Sequence, residues 1–398
     1  MEQNQCQILI VGAGITGLTI ARELVNRGAE DILILEKENS LGLHASGRNS
    51  GILHAGMYYT PDTLKARFCV EGNRLMKEFC REKGLALNET GKVILAGSPS
   101  EVEALYELKR RADLCGARAF LINRKKLGEI EPHATPCNEA LFSPDTAVIR
   151  PIEVLKALKE ELIRSAKAAI CYETAFKGLL GERQACTSKG VIRFEKLVNA
   201  AGSYGDKIAH QCGLAKEYKT LPFKGTYKQL ARNRTALVRG NIYPVPDLRT
   251  PFLGIHLTRT VDNEVLVGPT AIPAFGRENY QAFKGWGWET FPILFRDSVL
   301  LLKNHTFRQA ALTEPKKYLR RFVLKEARRL VPELCLHDLV ETNHTGIRPQ
   351  LIHWPTKMLV MDFVVLHDGD ALHILNPISP AFTSSMAFAK DVVTTLLR

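Results

Sequence analysis

The chain opens on a run of apolar residues that changes period twice within forty positions. Ile8-Leu9-Ile10-Val11 is unbroken and apolar, Gly12-Ala13-Gly14-Ile15-Thr16-Gly17 interrupts it, a 3.6-period stretch passes through Arg22-Glu23-Leu24, and Ile32-Leu33-Ile34-Leu35 ends at Glu36. Short apolar runs bounded by glycine predict buried strands, and the periodic stretch between them predicts a helix. The order is therefore strand, tight turn, helix, strand. Gly12 allows the turn, Gly14 lets backbone N–H groups approach a pyrophosphate, and Gly17 brings the helix close to the strand. Ile15 and Thr16 stand at the helix start beside them. Glu36 lies about 20 residues on, where a carboxylate accepts from ribose hydroxyls in a dinucleotide site.

The same reading continues along the chain. Leu64, Phe68, Leu75, Met76 and Phe79 recur at helical spacing and predict a core-facing helix over 62–83. Gly91 to Ala96 predicts a strand, Ser100 to Ala112 an amphipathic helix with a serine cap, and Pro151 opens a helix through Ser165. Lys196-Leu197-Val198-Asn199-Ala200-Ala201-Gly202 predicts a buried strand whose small end lets backbone pass beside a ligand, although a tight turn would need only the glycine. Alternation at Pro222 to Tyr227, Leu253 to Thr258 and Val265 to Pro269 predicts antiparallel strands. Pro380, with Ser379 and Thr383, surrounds the start of a final helix whose N-terminal donors can receive negative charge. The segment 37–59 is dense in glycine, hydroxyls and an arginine. It reads as a loop and short helix in which Ser46, Arg48, Asn49, Ser50 and Gly51, following Lys37, can reach a diphosphate.

The resulting fold class is α/β: a Rossmann-like nucleotide-binding domain interleaved with an α+β substrate domain on a mainly antiparallel sheet. The first domain is expected over 1–84, 148–215 and 336–398, the second over 85–147 and 216–335. A length of 398 residues with 45% hydrophobic content suits two ordinary globular domains. The N-terminal residues run straight into the first strand, so no cleavable leader is expected, and no apolar run approaches a transmembrane span. Nine cysteines, including Cys137, lie scattered without a C-x-x-C pair. They predict neither a disulfide framework nor a metal site, and a reducing cytoplasm.

Charge alters this picture in one place. The net charge is +12, and between Arg296 and Arg329 ten Lys/Arg face only Asp297, Glu314 and Glu326. Trp286, Trp288, Phe291, Phe295 and Leu300 to Leu302 stand immediately before and within this segment. Such a stretch suits either a peripheral position at the inner face of a membrane or packing against the sheet.

The glycine fingerprint with Glu36, and Val198 to Gly202, resemble the glutathione-reductase-type FAD fold. More narrowly, Ser46 to Gly56, Tyr243 to Asp247, Phe252 to Arg259, Gly346-Ile347-Arg348 and Ser379-Pro380-Ala381 resemble the L-2-hydroxyglutarate dehydrogenase/oxidase family of D-amino-acid-oxidase-like flavoenzymes. The chain departs from that pattern at Lys224, where arginine is expected, at Thr270 in Gly268-Pro269-Thr270-Ala271, and at Pro377-Ile378 before Ser379.

The resemblance implies FAD as cofactor and hydride transfer from a 2-hydroxy acid, 2-hydroxyglutarate first. Gly12 to Gly17, Glu36, Lys37, Ser46, Arg48 to Gly51, Ala200 to Gly202, Ser379, Pro380 and Thr383 would bind the cofactor, and His373 would contact the flavin. Arg348, expected in a turn formed by Gly346-Ile347-Arg348, offers the carboxylate a bidentate partner. Either His54 or His256 is the expected base. Tyr58, His256 and Lys224 complete the substrate residues, Lys224 standing either on a second carboxylate or in solvent. Oxygen or a membrane quinone would accept the electrons. An amine or amino-acid oxidase such as a glycine or sarcosine type, and a flavin-dependent RNA-modifying or RNA-binding protein, are the competing readings. DNA is not an expected partner.

Overall fold

A computed structural model describes residues 4–136, 138–247, 252–281 and 285–397. Met1 to Gln3 and Cys137 lie outside the described residues. The chain forms two compact units, Met1–Arg48, Pro151–Pro222 and Arg348–Arg398 in the first, Asn49–Arg150 and Phe223–Ile347 in the second.

The first unit is built on the parallel sheet that the opening pattern predicts. Strand Gln5–Val11 pairs in parallel with Ile32–Leu35 on one side and with Gly190–Asn199 on the other. Ile32–Leu35 pairs in parallel with Ala168–Cys171, and Gly190–Asn199 pairs in parallel with Ala371–Leu375. Every residue of Ile32–Leu35 is buried, which is why these strands read as continuous apolar runs rather than alternating ones. Helix Ile15–Asn26 packs against Ala381–Leu396. Arg27 ties their far ends, donating to Thr394 Oγ1 at 2.7 Å and to the Lys390 carbonyl at 2.8 Å.

The second unit carries a sheet in the order Tyr218–Leu230 (from Phe223), Val265–Gly268, His256–Arg259, Asn241–Pro244, Lys92–Leu95, Glu139–Ser143, Phe120–Asn123. Its pairings are antiparallel except Asn241–Pro244 with Lys92–Leu95. Period-two alternation divides the sheet's faces. Val93, Leu95, Ile242, Leu257, Val265 and Val267 share one core with Val323, Ala327, Leu330 and Val331. The opposite face receives Lys92, Asn241, Tyr243, His256 and Thr258, and register fixes Asn241 beside Thr258 and His256 beside Gly268.

Three expectations need correction. Residues 49–84, expected in the first domain, belong to the second unit. Helix Leu64–Glu82 is held there by Asn73, whose amide donates to the carbonyls of Leu53, His54 and Asp145. Its apolar periodicity was equally compatible with either core. The short helix expected within 37–59 does not form; turns and bends run to strand Ile52–Leu53. Gly42, Gly51 and Gly56 adopt positive φ there, which breaks any helical run. Finally, Gly346-Ile347-Arg348 is no turn but the middle of the long strand Leu339–His353.

The aromatic segment faces largely outward. Helix Thr290–Lys303 buries Ile293 and Leu300 but leaves Phe291 68%, Phe295 63% and Leu302 78% exposed, with Trp288 at 90% just before it. The basic residues beyond are partly tied down. Lys317 pairs with Glu314 and Glu326, and Arg329 with Glu101. Among the described residues no helix is long and apolar enough to cross a membrane, and the described cysteines are free thiols.

Candidate functional site

In the first unit the glycine turn forms a cradle that side chains would fill. Gly12 sits at φ +109°, and a Cβ there would lie 2.5 Å from the Ala200 carbonyl oxygen and 3.2 Å from Ala201 Cα. The Gly12 N–H donates to the Leu35 carbonyl at 2.8 Å, and Ala200 N–H to the Val11 carbonyl at 3.0 Å. Strand ends and turn are thus locked together with no room for substitution. A Cβ on Gly17 would stand 2.0 Å from the Gly12 carbonyl oxygen, so the helix rests directly on the turn. Gly14, in extended backbone, is the N-cap and brings no side-chain cap. The first helical N–H, of Ile15, meets Ser46 Oγ at 3.0 Å, which brings the loop hydroxyl to the positive end of the helix. Thr16 occupies the next position of that first turn, and its carbonyl accepts from Thr19 Oγ1.

Glu36 completes the turn. Its carboxylate accepts from Ala13 N–H at 3.3 Å and Glu38 N–H at 3.0 Å. Burial pushes its carboxyl up, and these two backbone donors oppose that shift. Lys37 pairs with Glu38 at 2.6 Å and lies over the Tyr204 ring. Arg48 donates from Nε to the Leu43 carbonyl at 2.6 Å, bracing its own loop.

On the strand beside that turn, where Asn199 pairs with Val11, Asn199 donates to the Gly205 carbonyl at 2.8 Å and faces His373 Nδ1 at 3.1 Å, while its Oδ1 accepts from Ala201 N–H. His373 is fully buried in the sheet and its imidazole is pushed toward the neutral form by that burial. The strand ends at Asn199, and Gly202, at φ +56°, opens the short turn Gly202–Tyr204 that follows. Pro380 is the N-cap of Ala381–Leu396 and brings no side-chain hydrogen bond to the helix end, with Ser379 before it and Thr383 buried in the first turn. Asn376 holds this start in place: its Oδ1 accepts from Leu351 N–H, and its amide donates to the carbonyls of Val360 and Asp362. Arg348 stands half-buried two residues before Gln350.

These residues fit a dinucleotide cofactor. The bare turn, the helix N-terminus capped by a glycine with the Ser46 hydroxyl beside it, and the buried acid at the second strand's end are what a pyrophosphate and a ribose require.

The second unit gathers Tyr58, Lys92, Tyr243 and His256. The Tyr243 and His256 rings stack at 3.8 Å and 16°. The His256 Nδ1 lies 2.9 Å from the Gly254 carbonyl oxygen. A carbonyl only accepts, so Nδ1 carries the hydrogen and Nε2 keeps its lone pair. Burial first, opposed by that carbonyl and reinforced by Lys92, pushes the imidazole down to about 3. Lys92 Nζ sits 4.3 Å from the centroid of Tyr58 and 4.8 Å from that of Tyr243. It is 1% exposed and has no hydrogen-bond partner among the described residues. His54, buried, approaches Tyr58 edge-on at 6.4 Å, and its carbonyl accepts from Asn73 at 3.0 Å. Asn49 Oδ1 accepts from Gly51 N–H at 2.9 Å, and Ser50 lies at the Tyr227 hydroxyl. Lys224 is not in solvent: it is buried, donates to the Gln281 carbonyl at 3.3 Å, and desolvation pushes its amine down.

Lys92 and the ring of Tyr243 are absent from the site that the sequence suggests. Lys92 stands at the head of an otherwise apolar strand, where a lysine reads as solvent-facing. The available signal was its place within a run whose neighbours on both sides are buried.

A dinucleotide cradle on a parallel sheet, in a chain that also carries a buried neutral histidine on an antiparallel sheet, is the setting of a nucleotide-dependent oxidoreductase, and the chain belongs to the FAD dependent oxidoreductase (DAO) family, whose model matches residues 7–395. Within it the chain is similar to L-2-hydroxyglutarate dehydrogenase of Escherichia coli (strain K12), at 33% identity over 97% of this chain and 92% of the relative. The mitochondrial L-2-hydroxyglutarate dehydrogenase of Homo sapiens is 32% identical over 96% of this chain and 86% of its own length. Among solved structures, FAD-bound L-alpha-glycerophosphate oxidase from Mycoplasma pneumoniae shares the fold at a TM-score of 0.78 and 20% identity, covering 100% of this chain and 96% of that one. Glycine oxidase from Geobacillus kaustophilus does so at 0.72 and 18%, covering 99% and 95%.

Proposed function

We propose that the chain oxidises L-2-hydroxyglutarate to 2-oxoglutarate. Nearly full-length likeness to relatives named for that substrate carries the reading. FAD, when bound, supplies the two-electron acceptor that takes the Cα hydrogen as hydride. The turn from Gly12 to Gly17 and Ser46 would hold its pyrophosphate, Glu36 its ribose, and the start of Ala381–Leu396 the electron-rich edge of the ring.

The protein's own work is to hold the hydroxy acid and remove its hydroxyl proton. His256 is the proposed base: its neutral imidazole keeps one tautomer, with Nε2 open to accept. Arg348 is the proposed partner of the 1-carboxylate, and Lys224 and Tyr58 are proposed for the distal end of the dicarboxylate. In dye-linked turnover, the L-enantiomer should be oxidised and the D-enantiomer, glycine and sarcosine left untouched. H256N should lower kcat by about 10²- to 10⁴-fold, and H54N by much less. The reverse order would transfer the role to His54.

A second reading concerns where the electrons go. We infer a cytoplasmic protein that lies peripherally on the inner face of the membrane and reduces a quinone there. The outward stripe of Trp288, Phe291, Phe295 and Leu302, followed by Lys303 and Arg308, supports it, since apolar burial and lipid charge would act together. Vesicles containing anionic lipid should sediment the holoenzyme at low salt, and F291S/F295S should stay in solution. If both sediment alike, or neither does, this reading fails.

A further inference from the structure

Lys92 is a buried amine whose surroundings give it nothing to pair with. It heads the strand Lys92–Leu95, opposite Ser143 in register, and Ser143 Oγ is engaged with Thr146 Oγ1. Asn241, on the adjoining strand, turns its amide to the Gly91 carbonyl at 2.8 Å. The helix Leu64–Glu82 brings only the Cys69 thiol, which burial pushes up to about 12. The loop before that helix brings Tyr58 and the sheet brings Tyr243, and desolvation keeps both phenols protonated. No carboxylate pairs with Lys92 among the described residues. A protonated amine here has two ring faces and no counter-ion, an arrangement that costs stability.

One neighbour gives that cost a use. The ring of Tyr243 that Lys92 touches at 4.8 Å is the ring on which His256 stacks at 3.8 Å. Amine, phenol and imidazole form one column across adjacent strands, because Lys92, Tyr243 and His256 share a sheet face. A charge on the amine opposes a charge on the imidazole through a ring that excludes water.

We propose that Lys92 is a positioning residue that sets the basicity of His256 across the ring of Tyr243: charged, it holds the imidazole a weak base, and neutral, it releases it. The inference rests on the reading of His256 as base. In turnover the substrate hydroxyl would give its proton to His256 Nε2, bound FAD would supply the acceptor for the hydride from Cα, and Lys92 would exchange no proton with the substrate. Burial pushes the amine down to about 7, so the switch falls near neutral pH. A unit charge roughly 8 Å away at an effective dielectric near 20 shifts a proton affinity by about one and a half pH units.

The test is the pH dependence of kcat for the holoenzyme, in wild type, K92M and K92R, with flavin content and thermal midpoint confirming the fold. Wild type should rise through an inflection near pH 7 by roughly three- to tenfold, as expected if part of that affinity shift appears in the rate. K92M should lose the inflection and stay at the upper level, with KM changed by less than about twofold. K92R, permanently charged, should lose it and stay at the lower level. If K92R fails to fold, the K92M profile decides alone. A K92M enzyme that keeps the inflection, or two variants at the same level, overturns the proposal. H256N with wild-type kcat overturns the base reading instead, whereas H256N inactive beside an unchanged K92M profile overturns this inference only.

Discussion

The amine of Lys92 should make the protein less stable than a methionine would. Its folded pKa is depressed from 10.5 to about 7, so between those values the unfolded chain binds the proton and the folded chain does not. Stability therefore rises as pH rises through that window, and the penalty is complete below it. K92M should melt higher than wild type at pH 6 by several degrees, and the gap should close toward pH 10, as read by differential scanning. Gly12 makes the opposite case. A methyl group 2.5 Å from a backbone oxygen at φ +109° has nowhere to go, and positive φ alone costs an alanine about 1–3 kcal/mol. G12A should purify with little or no bound FAD, measured from the visible absorption of the pure protein. These two residues also mark what a sequence tells at this scale. Gly12, Gly14, Gly17 and Glu36 were legible because their spacing is dictated by backbone approach to a ligand. Lys92 was not, because its meaning comes from Tyr58 and Tyr243, residues distant in the chain that only folding brings to it.

Elements with an apolar period of their own were placed well. The expected helices over 62–83 and 100–112 correspond to Leu64–Glu82 and Pro99–Leu114, and the strands over 222–227 and 265–269 to Tyr218–Leu230 and Val265–Gly268. The segment 37–59 lacks such a period, and its glycines could be read as a helix start or as successive turns. Helix Thr290–Lys303 shows how an element can conceal its inner face: its aromatic residues suited either a membrane surface or the core side, and Asp297 lies on the buried side with Ile293 and Leu300. Desolvation pushes the Asp297 carboxyl up from 3.8 to about 7, and its Oδ1 has no partner among the described residues. The folded state holds the proton more tightly, so stability is lost as pH rises from about 4 through 7. D297N removes this loss. Its melting temperature should exceed wild type by more at pH 8 than at pH 5, and an equal difference at both would show that Asp297 is not protonated in the fold.

On the scale of the whole molecule, each unit carries one half of an oxidoreductase: the first a cradle for a two-phosphate cofactor, the second a sheet face bearing a fixed-tautomer histidine. The interleaving of these halves was legible because each return of the chain to the parallel sheet carries its own apolar run, at Leu197-Val198 and again at Leu372, Ile374 and Leu375. Two of the four crossing points were not, because they fall inside the long strands Tyr218–Leu230 and Leu339–His353, whose patterns continue unchanged across them, and the crossing after Arg48 lies among turns that carry no period. Both halves meet in a single measurement. The yellow holoenzyme is titrated anaerobically with L-2-hydroxyglutarate while flavin absorption and 2-oxoglutarate are followed together. The expected result is that one equivalent per flavin bleaches the absorption and yields one equivalent of 2-oxoglutarate. Flavin that stays oxidised with this acid but bleaches with glycine or sarcosine would contradict it.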